Sequence, residues 1–181
     1  MARSYTISVF SENSPGVLHR VVTLFTKRKI NIESLTVSET EQHAISRFTI
    51  VARLEEHLVE TVVKQLRRIV EVRSAFANLD ADLLYKEIAF FKIAAPSKEN
   101  RFAIEEQAQR YGATVIHADA RCMVLEKTGS EHEITSFFTL LEPLGMKEFV
   151  RSGRIAIYMG GDEEEEESSP NGDEQSSYQP F

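Results

Sequence analysis

The sequence has little cysteine and no long apolar run. Its single cysteine, Cys122, has no partner for an intramolecular disulfide, which favours a reducing compartment. No stretch approaches the ~20 apolar residues that a membrane-spanning helix needs. The first residues, Met-Ala-Arg-Ser-Tyr, lack the long apolar stretch and cleavage site of a secretory signal. We therefore expect a cytoplasmic protein with no membrane partner, in which Cys122 is a small buried strand residue and not a sensor thiol.

Positive charge is absent from the last part of the chain. Residues 162–181 contain eight acidic residues and no Lys or Arg, so the net charge of −7 leaves about +1 on the remaining residues. A neutral body gives no general attraction to nucleic acid or to an anionic membrane. Mutual repulsion and the lack of apolar residues predict that residues 161–181 are a disordered acidic tail. The tail is either an interaction arm or a solvating extension, and composition favours the second.

Signatures of catalysis and of metal binding are missing too. The five histidines lie far apart, and none of them has the spacing of a metal-ligand motif. The sequence contains no Walker-type loop, no G-x-S-x-G and no dinucleotide fingerprint. We therefore predict no catalytic residue, no metal ligand and no cofactor in this chain.

Hydrophobic periodicity predicts the order βαββαβ for the first half of the chain. The alternation from Tyr5 to Phe10 is typical of a half-buried strand. Ser14 as the cap and Pro15 at the first helical position predict the start of a helix. Two strand-like runs joined by the polar segment Ser38–His43 predict a hairpin. In numbers, the strands are expected near 5–10, 30–37, 45–53 and 69–75, and the helices near 15–29 and 58–66.

The same order is predicted again for the second half. A strand at 84–94 precedes a helix at 99–111 that ends at Gly112, and paired strands follow at 114–119 and 121–127. Ser130-Glu-His-Glu133 is a capping box that begins a second helix, and a final strand lies within 149–158. The fold class is α+β: two ferredoxin-like domains, 4–77 and 84–160, each with an antiparallel sheet and two helices on one face. Domains of ~75 residues are marginal alone, so we expect packing against a neighbour or a second subunit.

The βαββαβ order also occurs in the RNA-recognition fold, which stacks bases on exposed aromatics of a basic, glycine-containing third strand. Here that strand reads Ala44-Ile-Ser-Arg-Phe-Thr-Ile-Val-Ala52, with no glycine and one aromatic residue, Phe48. We interpret Phe48 as a core residue. RNA binding is therefore disfavoured, and no nucleic-acid partner is expected.

The turn after the first strand has the pattern of a site for a small anionic ligand. The first amides of a helix have no intrahelical acceptor and suit a ligand carboxylate. Gly16 lets a ligand approach the backbone because it has no Cβ. Asn31 offers a donor and an acceptor near that turn. The same residues are also compatible with an ordinary capped turn and a solvent-facing asparagine.

The segment from Tyr5 to Val51 resembles the ACT domain of acetolactate synthase small subunits. Three strings carry this resemblance: Ser11-Glu-Asn-Ser-Pro-Gly-Val-Leu-His-Arg20, Arg28-Lys-Ile-Asn-Ile-Glu-Ser-Leu-Thr-Val37 and Ser46-Arg-Phe-Thr-Ile50. The second half looks like the C-terminal domain of the same family. The resemblance covers roughly residues 4–160, and the acidic residues extend past the usual end of the family.

The resemblance implies a regulatory subunit of the enzyme that makes acetolactate or acetohydroxybutyrate for branched-chain amino acids. In this family the large catalytic subunit binds thiamine diphosphate, Mg²⁺ and FAD, while the small subunit raises activity and confers end-product inhibition, usually by valine. The effector is expected where the ACT domains of a homodimer meet, bound by Asn13, Gly16, Val17, Leu18, Asn31 and Ile32. His19 departs from the small polar residue of many relatives, which bears on effector preference. The alternative is a free-standing amino-acid-sensing ACT protein that regulates another enzyme.

Overall fold

The computed structural model describes residues 1–95 and 97–160, and the predicted tail at 161–181 lies outside them. The helices and strands of the first half are β1 (Arg3–Glu12), α1 (Val17–Lys27), β2 (Ile32–Glu39), β3 (Ile45–Leu54), α2 (Glu56–Leu66) and β4 (Val72–Leu79). Those of the second half are β5 (Leu83–Ala94), α3 (Lys98–Tyr111), β6 (Thr114–Ala118), β7 (Cys122–Gly129), α4 (Glu131–Leu141), β8 (Met146–Arg151) and β9 (Ile155–Tyr158).

The described strands form two antiparallel sheets. The first has the order β2-β3-β1-β4, and the second has the order β6-β7-β5-β8 with β9 paired to the start of β5. Each sheet packs two helices over its own apolar cluster, centred on Ile7, Val21 and Phe25 in the first half and on Phe91 and Phe137 in the second. The predicted α+β class with two ferredoxin-like units is confirmed. None of the helices in residues 1–95 and 97–160 is both long and apolar enough to cross a membrane.

Several local predictions are confirmed because they depend on neighbouring residues. Gly112 ends α3 with a left-handed φ of 65°, which costs glycine little. Ser130 and Glu133 form the predicted reciprocal capping box at the start of α4. Phe48 is buried in the core of the first sheet, as interpreted from the sequence.

Three local predictions are wrong. Ser14 does not cap α1: Gly16 is the N-cap residue, with φ 90°, and no side chain caps the helix. The predicted final strand within 149–158 is two strands, because Gly153, with a positive φ of 78°, lies between β8 and β9. Cys122 is only half-buried, because it is the first residue of β7.

The second half packs on the face of the first sheet that carries no helices. Thr6 and Ser8 are buried on that face, since they alternate along β1 with the core residues. The Thr36 hydroxyl donates to the Arg154 carbonyl over 3.0 Å, and Arg47 donates to the Ala156 carbonyl over 2.6 Å. A Cβ on Gly153 would lie 2.6 Å from the Ser34 Oγ, so a larger residue here would require this contact to shift, and its φ of 78° also favours glycine.

Candidate effector-binding site

The β1–α1 turn presents free amides at a helix start. The Asn13 amide donates to the Ala44 carbonyl over 2.7 Å, and the Ser14 amide donates to the Glu12 carbonyl over 3.0 Å. In residues 1–95 and 97–160, nothing accepts from the amides of Leu18 and His19. These amides carry the positive end of the helix dipole, so the turn suits a small carboxylate.

Gly16 determines the backbone conformation of this turn and leaves open space above it. Its φ of 90° is in the left-handed region, where a side chain is strained. A Cβ at Gly16 would have one near neighbour, the Nη2 of Arg20 at 4.0 Å. The surface above the turn is therefore open to a ligand, and a side chain at this position would project into it.

Val17 and Leu18 have different environments on the first turn of α1. Val17 is 2% exposed and belongs to the core, so its side chain is not available to a ligand. Leu18 is 46% exposed and offers an apolar surface next to the free amides. An aliphatic amino acid can therefore contact Leu18 while its carboxylate lies at the helix start.

Glu39 lies beside Asn13. Sequence analysis did not single it out, because it lies in the polar segment Ser38–His43 of the predicted hairpin. The Asn13 Nδ2 donates to the Glu39 carboxylate. Strand register explains the proximity: Glu39 in β2 and Ser11 in β1 both pair with Ser46 in β3. A carboxylate here can bind a ligand ammonium.

Asn31 and Ile32 lie at the opposite end of this sheet, so the expectation that Asn31 is near the turn is wrong within one chain. Ile32 pairs with Ala52, which in turn pairs with Tyr5 near the start of β1. Asn13 is eight positions after Tyr5, which at ~3.3 Å per residue is roughly 25 Å. Local sequence did not reveal this, because β1 and β2 run parallel with β3 between them. One chain therefore contains two separated parts of the predicted site.

Strand β2 lies at the edge of the first sheet and connects these two parts of the site. Among the described strands it pairs only with β3. Its other edge presents unpaired backbone donors and acceptors, which can bind a further strand. Asn31 directly precedes the first residue of β2. The last residue of β2, Glu39, accepts a hydrogen bond from Asn13.

A second group of polar residues lies at the β6–β7 hairpin. Ligand atoms of His117, Asp119 and Cys122 come within 4.8 Å of one another, a grouping that sequence spacing did not predict. The Asp119 carboxylate accepts from the amides of Arg121 at 2.7 Å and Cys122 at 2.8 Å. These hydrogen bonds hold the pKa of Asp119 far below its usual value. Asp119 thus has the contacts of a residue that stabilises the hairpin turn.

Comparisons with known proteins agree for both halves of the chain. Residues 7–74 match a family described as the "AHAS small subunit-like ACT domain", and residues 86–160 match one described as the "Small subunit of acetolactate synthase". A probable acetolactate synthase small subunit of Archaeoglobus fulgidus is 36% identical, over 86% of this chain and 97% of that protein. The acetolactate synthase small subunit of Mycobacterium leprae is also 36% identical, over 87% of this chain and 92% of that protein.

A solved structure shows the same arrangement of both halves. The crystal structure of the acetolactate synthase small subunit from Thermotoga maritima superposes with a TM-score of 0.80 at 27% sequence identity. The match covers 88% of this chain and 99% of that one. Both sheets are therefore part of the similarity.

Proposed function

This chain belongs to the acetolactate synthase small-subunit family, and from that premise we propose that it activates the large catalytic subunit and makes it sensitive to branched-chain amino acids. The chain itself would be non-catalytic and cytoplasmic. Thiamine diphosphate, Mg²⁺ and FAD would be bound by the large subunit. The family membership and the match along both halves support this proposal.

The effector in this proposal is valine, bound between two copies of the chain. Its carboxylate would accept from the free amides of Leu18 and His19 at the start of α1. Its isopropyl group would contact the exposed Leu18, and its ammonium would lie near Glu39. These three contacts use the three chemical groups that every aliphatic amino acid has.

The separation of Asn31 from the turn supports a dimeric site. If two β2 strands pair antiparallel about a two-fold axis, the start of each strand lies beside the end of the other. Asn31 of one copy then lies next to Asn13 and Glu39 of the second copy. The roughly 25 Å gap within a chain is thereby closed twice, once at each end of the paired strands. This is the single observation on which the dimeric site depends.

Inhibition would follow from linkage between effector binding and the conformation of the holoenzyme. A ligand shifts an equilibrium only by its difference in affinity for the two states. Coupling of this kind is typically worth about 1–3 kcal/mol, which corresponds to a change in affinity of about 5–150-fold.

A mixed dimer tests the site directly. Gly16→Asp damages the turn and Asn31→Ala damages the other part, so each homodimer should lose valine binding at both sites. A mixed dimer, purified through two different tags, combines both lesions in one site and leaves the second site intact. Calorimetry should then find one valine per mixed dimer, and the reconstituted holoenzyme should regain part of its inhibition. A mixed dimer that binds no valine, although wild type does, would contradict a site shared between chains.

The alternative is that the chain senses an amino acid for a different enzyme. The ACT-like turn alone is compatible with this function, but the match of the second half to the small-subunit family favours acetolactate synthase. Affinity purification with the large subunit of the same organism decides between the two. Stable co-purification and increased acetolactate formation are expected.

A further inference from the structure

A basic groove lies between helices α1 and α2, and on α1 it extends from His19 to Arg28. It has a volume of about 690 Å³ and is lined by Arg20, Lys27, Arg28 and Arg68, with Glu71 as its acidic residue. Glu71 is paired with Arg20 at 2.5 Å. In residues 1–95 and 97–160, no carboxylate forms an ion pair with Lys27, Arg28 or Arg68. The groove therefore has three cations available to an anionic partner.

The chain itself contains a segment of opposite charge. Residues 1–161 are close to neutral in total, so three free cations around one groove are a local concentration of charge. The run Asp162-Glu-Glu-Glu-Glu-Glu167 begins two residues after Gly160 and has six consecutive carboxylates. It is the densest run of negative charge in the sequence.

The end of the described chain lies next to helix α2. The Met159 amide donates to the Asp82 carbonyl over 3.0 Å, which fixes the position of this end. Tyr158 lines a cavity together with Lys64 and Arg67 of the α2 region, and the next residue, Arg68, lines the basic groove. This cavity also has acidic lining residues, Glu56, Glu60 and Asp82, and Lys64 is paired with Glu60 at 2.5 Å. The cations without an ion pair therefore lie at the groove, next to this cavity.

The length of the acidic run can be compared with that of helix α2. The seven residues after Gly160, up to Glu167, span up to about 23 Å when extended. Helix α2 has 11 residues and is therefore about 16 Å long. The extended run is thus longer than α2, the helix whose residues line both the cavity at Tyr158 and the groove.

We propose that the acidic run Asp162–Glu167 binds in the groove lined by Lys27, Arg28 and Arg68 of the same chain. A short tether gives the run an effective concentration in the mM range, so that even a weak site is occupied. Because the groove is open to solvent, the contact is sensitive to salt, with a Debye length of about 10 Å at 0.1 M. The acidic residues are then an interaction arm with a defined partner surface.

Zero-length carbodiimide cross-linking of the full chain tests the contact, with the linked peptides identified by mass spectrometry. At low salt Lys27 should be joined to the Asp162–Glu167 run within monomeric chains, and the yield should fall severalfold at 0.5 M NaCl. The double variant Arg28→Glu and Arg68→Glu, which keeps Lys27, should lower the yield severalfold. Its matched control, Arg3→Glu with Arg110→Glu, has the same net charge and should cross-link as wild type.

Three results would overturn the proposal: a yield unaffected by the groove variant, equal losses in the two double variants, or Lys27 cross-links found only in covalent dimers. Amide NMR provides a readout that does not depend on lysine reactivity. Truncation after Gly161 should move the resonances of Arg28 and Arg68, and high salt should move the full-length resonances to the truncated positions. Spectra of residues 1–160 that are identical with and without the acidic run would also overturn it.

Discussion

The Nη1 of Arg154 donates to the Thr6 Oγ1 over 2.8 Å, joining the segment before β9 to the first strand of the other sheet. The same nitrogen lies 2.5 Å from the Asp80 carboxylate, and the guanidinium lies 3.8 Å from the centre of the Tyr85 ring. Arg154 is 3% exposed. This one side chain therefore holds both halves and the short connection between them.

Arg154→Ala is expected to destabilise the protein more than the loss of a surface arginine. It leaves Asp80 and Thr6 without their donor, and breaking a largely buried ion pair costs about 3–5 kcal/mol. Because Asp80 is partly exposed, we expect a loss of about 2–4 kcal/mol in the free energy of unfolding, measured with urea. Arg53→Ala, which removes an exposed pair with Glu33, is the control and should cost at most about 1 kcal/mol. Equal losses in both variants would show that the buried contact is not a major link.

The buried Glu87 predicts that its contribution to stability becomes less favourable as the pH rises, whereas a well-paired acid stabilises the fold at higher pH. It is 4% exposed, and burial raises its pKa above the usual 4.5, against the nearby positive charge of Arg151. A raised pKa in the folded state means that the ionised form is disfavoured, so Glu87 lowers stability at pH 7 and this cost disappears as the pH falls toward 4.5.

Glu87→Gln is therefore expected to be more stable than wild type at pH 7. The difference should shrink between neutral pH and about pH 4.5, because wild-type Glu87 becomes neutral over that range. Thermal unfolding of both proteins across this range measures it. The acids with lowered pKa, Asp119 and Glu133, are present in both proteins and cancel in the comparison. A variant that is less stable at pH 7 would show that the charge interaction with Arg151 outweighs burial.

Sequence patterns predicted those features that depend on neighbouring residues. The order of strands and helices, the C-cap at Gly112 and the capping box at Ser130 are set within one or two turns of the chain. The start of α1 was placed wrongly, because serine followed by proline is a common helix start. Here a glycine in a left-handed conformation takes the cap position.

Features that depend on strand order could not be predicted from local sequence patterns. The placement of Asn31 at the far end of the sheet follows from the register of β2 and β1 against β3, which involves residues 20 or more positions apart. The Asn13–Glu39 contact and the approach of Gly153 to Ser34 are long-range in the same sense. Residue identities suggested a ligand at the turn, and the sheet shows that Asn31 lies far from that turn within one chain.

Purified chain is expected to show no acetolactate formation from pyruvate, even with thiamine diphosphate, Mg²⁺ and FAD supplied. The sequence contains no cofactor-binding pattern, and the reaction depends on the cofactor for its carbanion chemistry. The assay needs protein made in a host lacking acetolactate synthase, so that no large subunit is carried along. Turnover that follows this chain through two orthogonal columns would contradict the regulatory assignment.

Gly16→Asp and Gly16→Asn together separate charge from shape at the turn. Both side chains have the same size, and both meet open space with Arg20 as the near neighbour. Asparagine and aspartate tolerate the left-handed region better than other residues, so the strain at φ 90° is similar in both variants. A carboxylate at this position repels the carboxylate of an amino acid bound at the free amides, whereas the amide does not. We expect Gly16→Asp to weaken valine inhibition of the reconstituted enzyme at least about tenfold more than Gly16→Asn does, which is a difference of about 1.4 kcal/mol.

Activation of the large subunit should be unchanged in both Gly16 variants, because the turn is expected to be separate from the subunit contact. Circular dichroism and thermal unfolding check that α1 still forms, since a failed helix start would remove inhibition for a trivial reason. If the two variants lose inhibition equally while remaining folded, the ligand carboxylate does not lie at the turn, and steric exclusion alone explains the loss. If Gly16→Asp keeps wild-type inhibition, the effector binds elsewhere. The charge difference between two isosteric side chains therefore decides where the carboxylate binds.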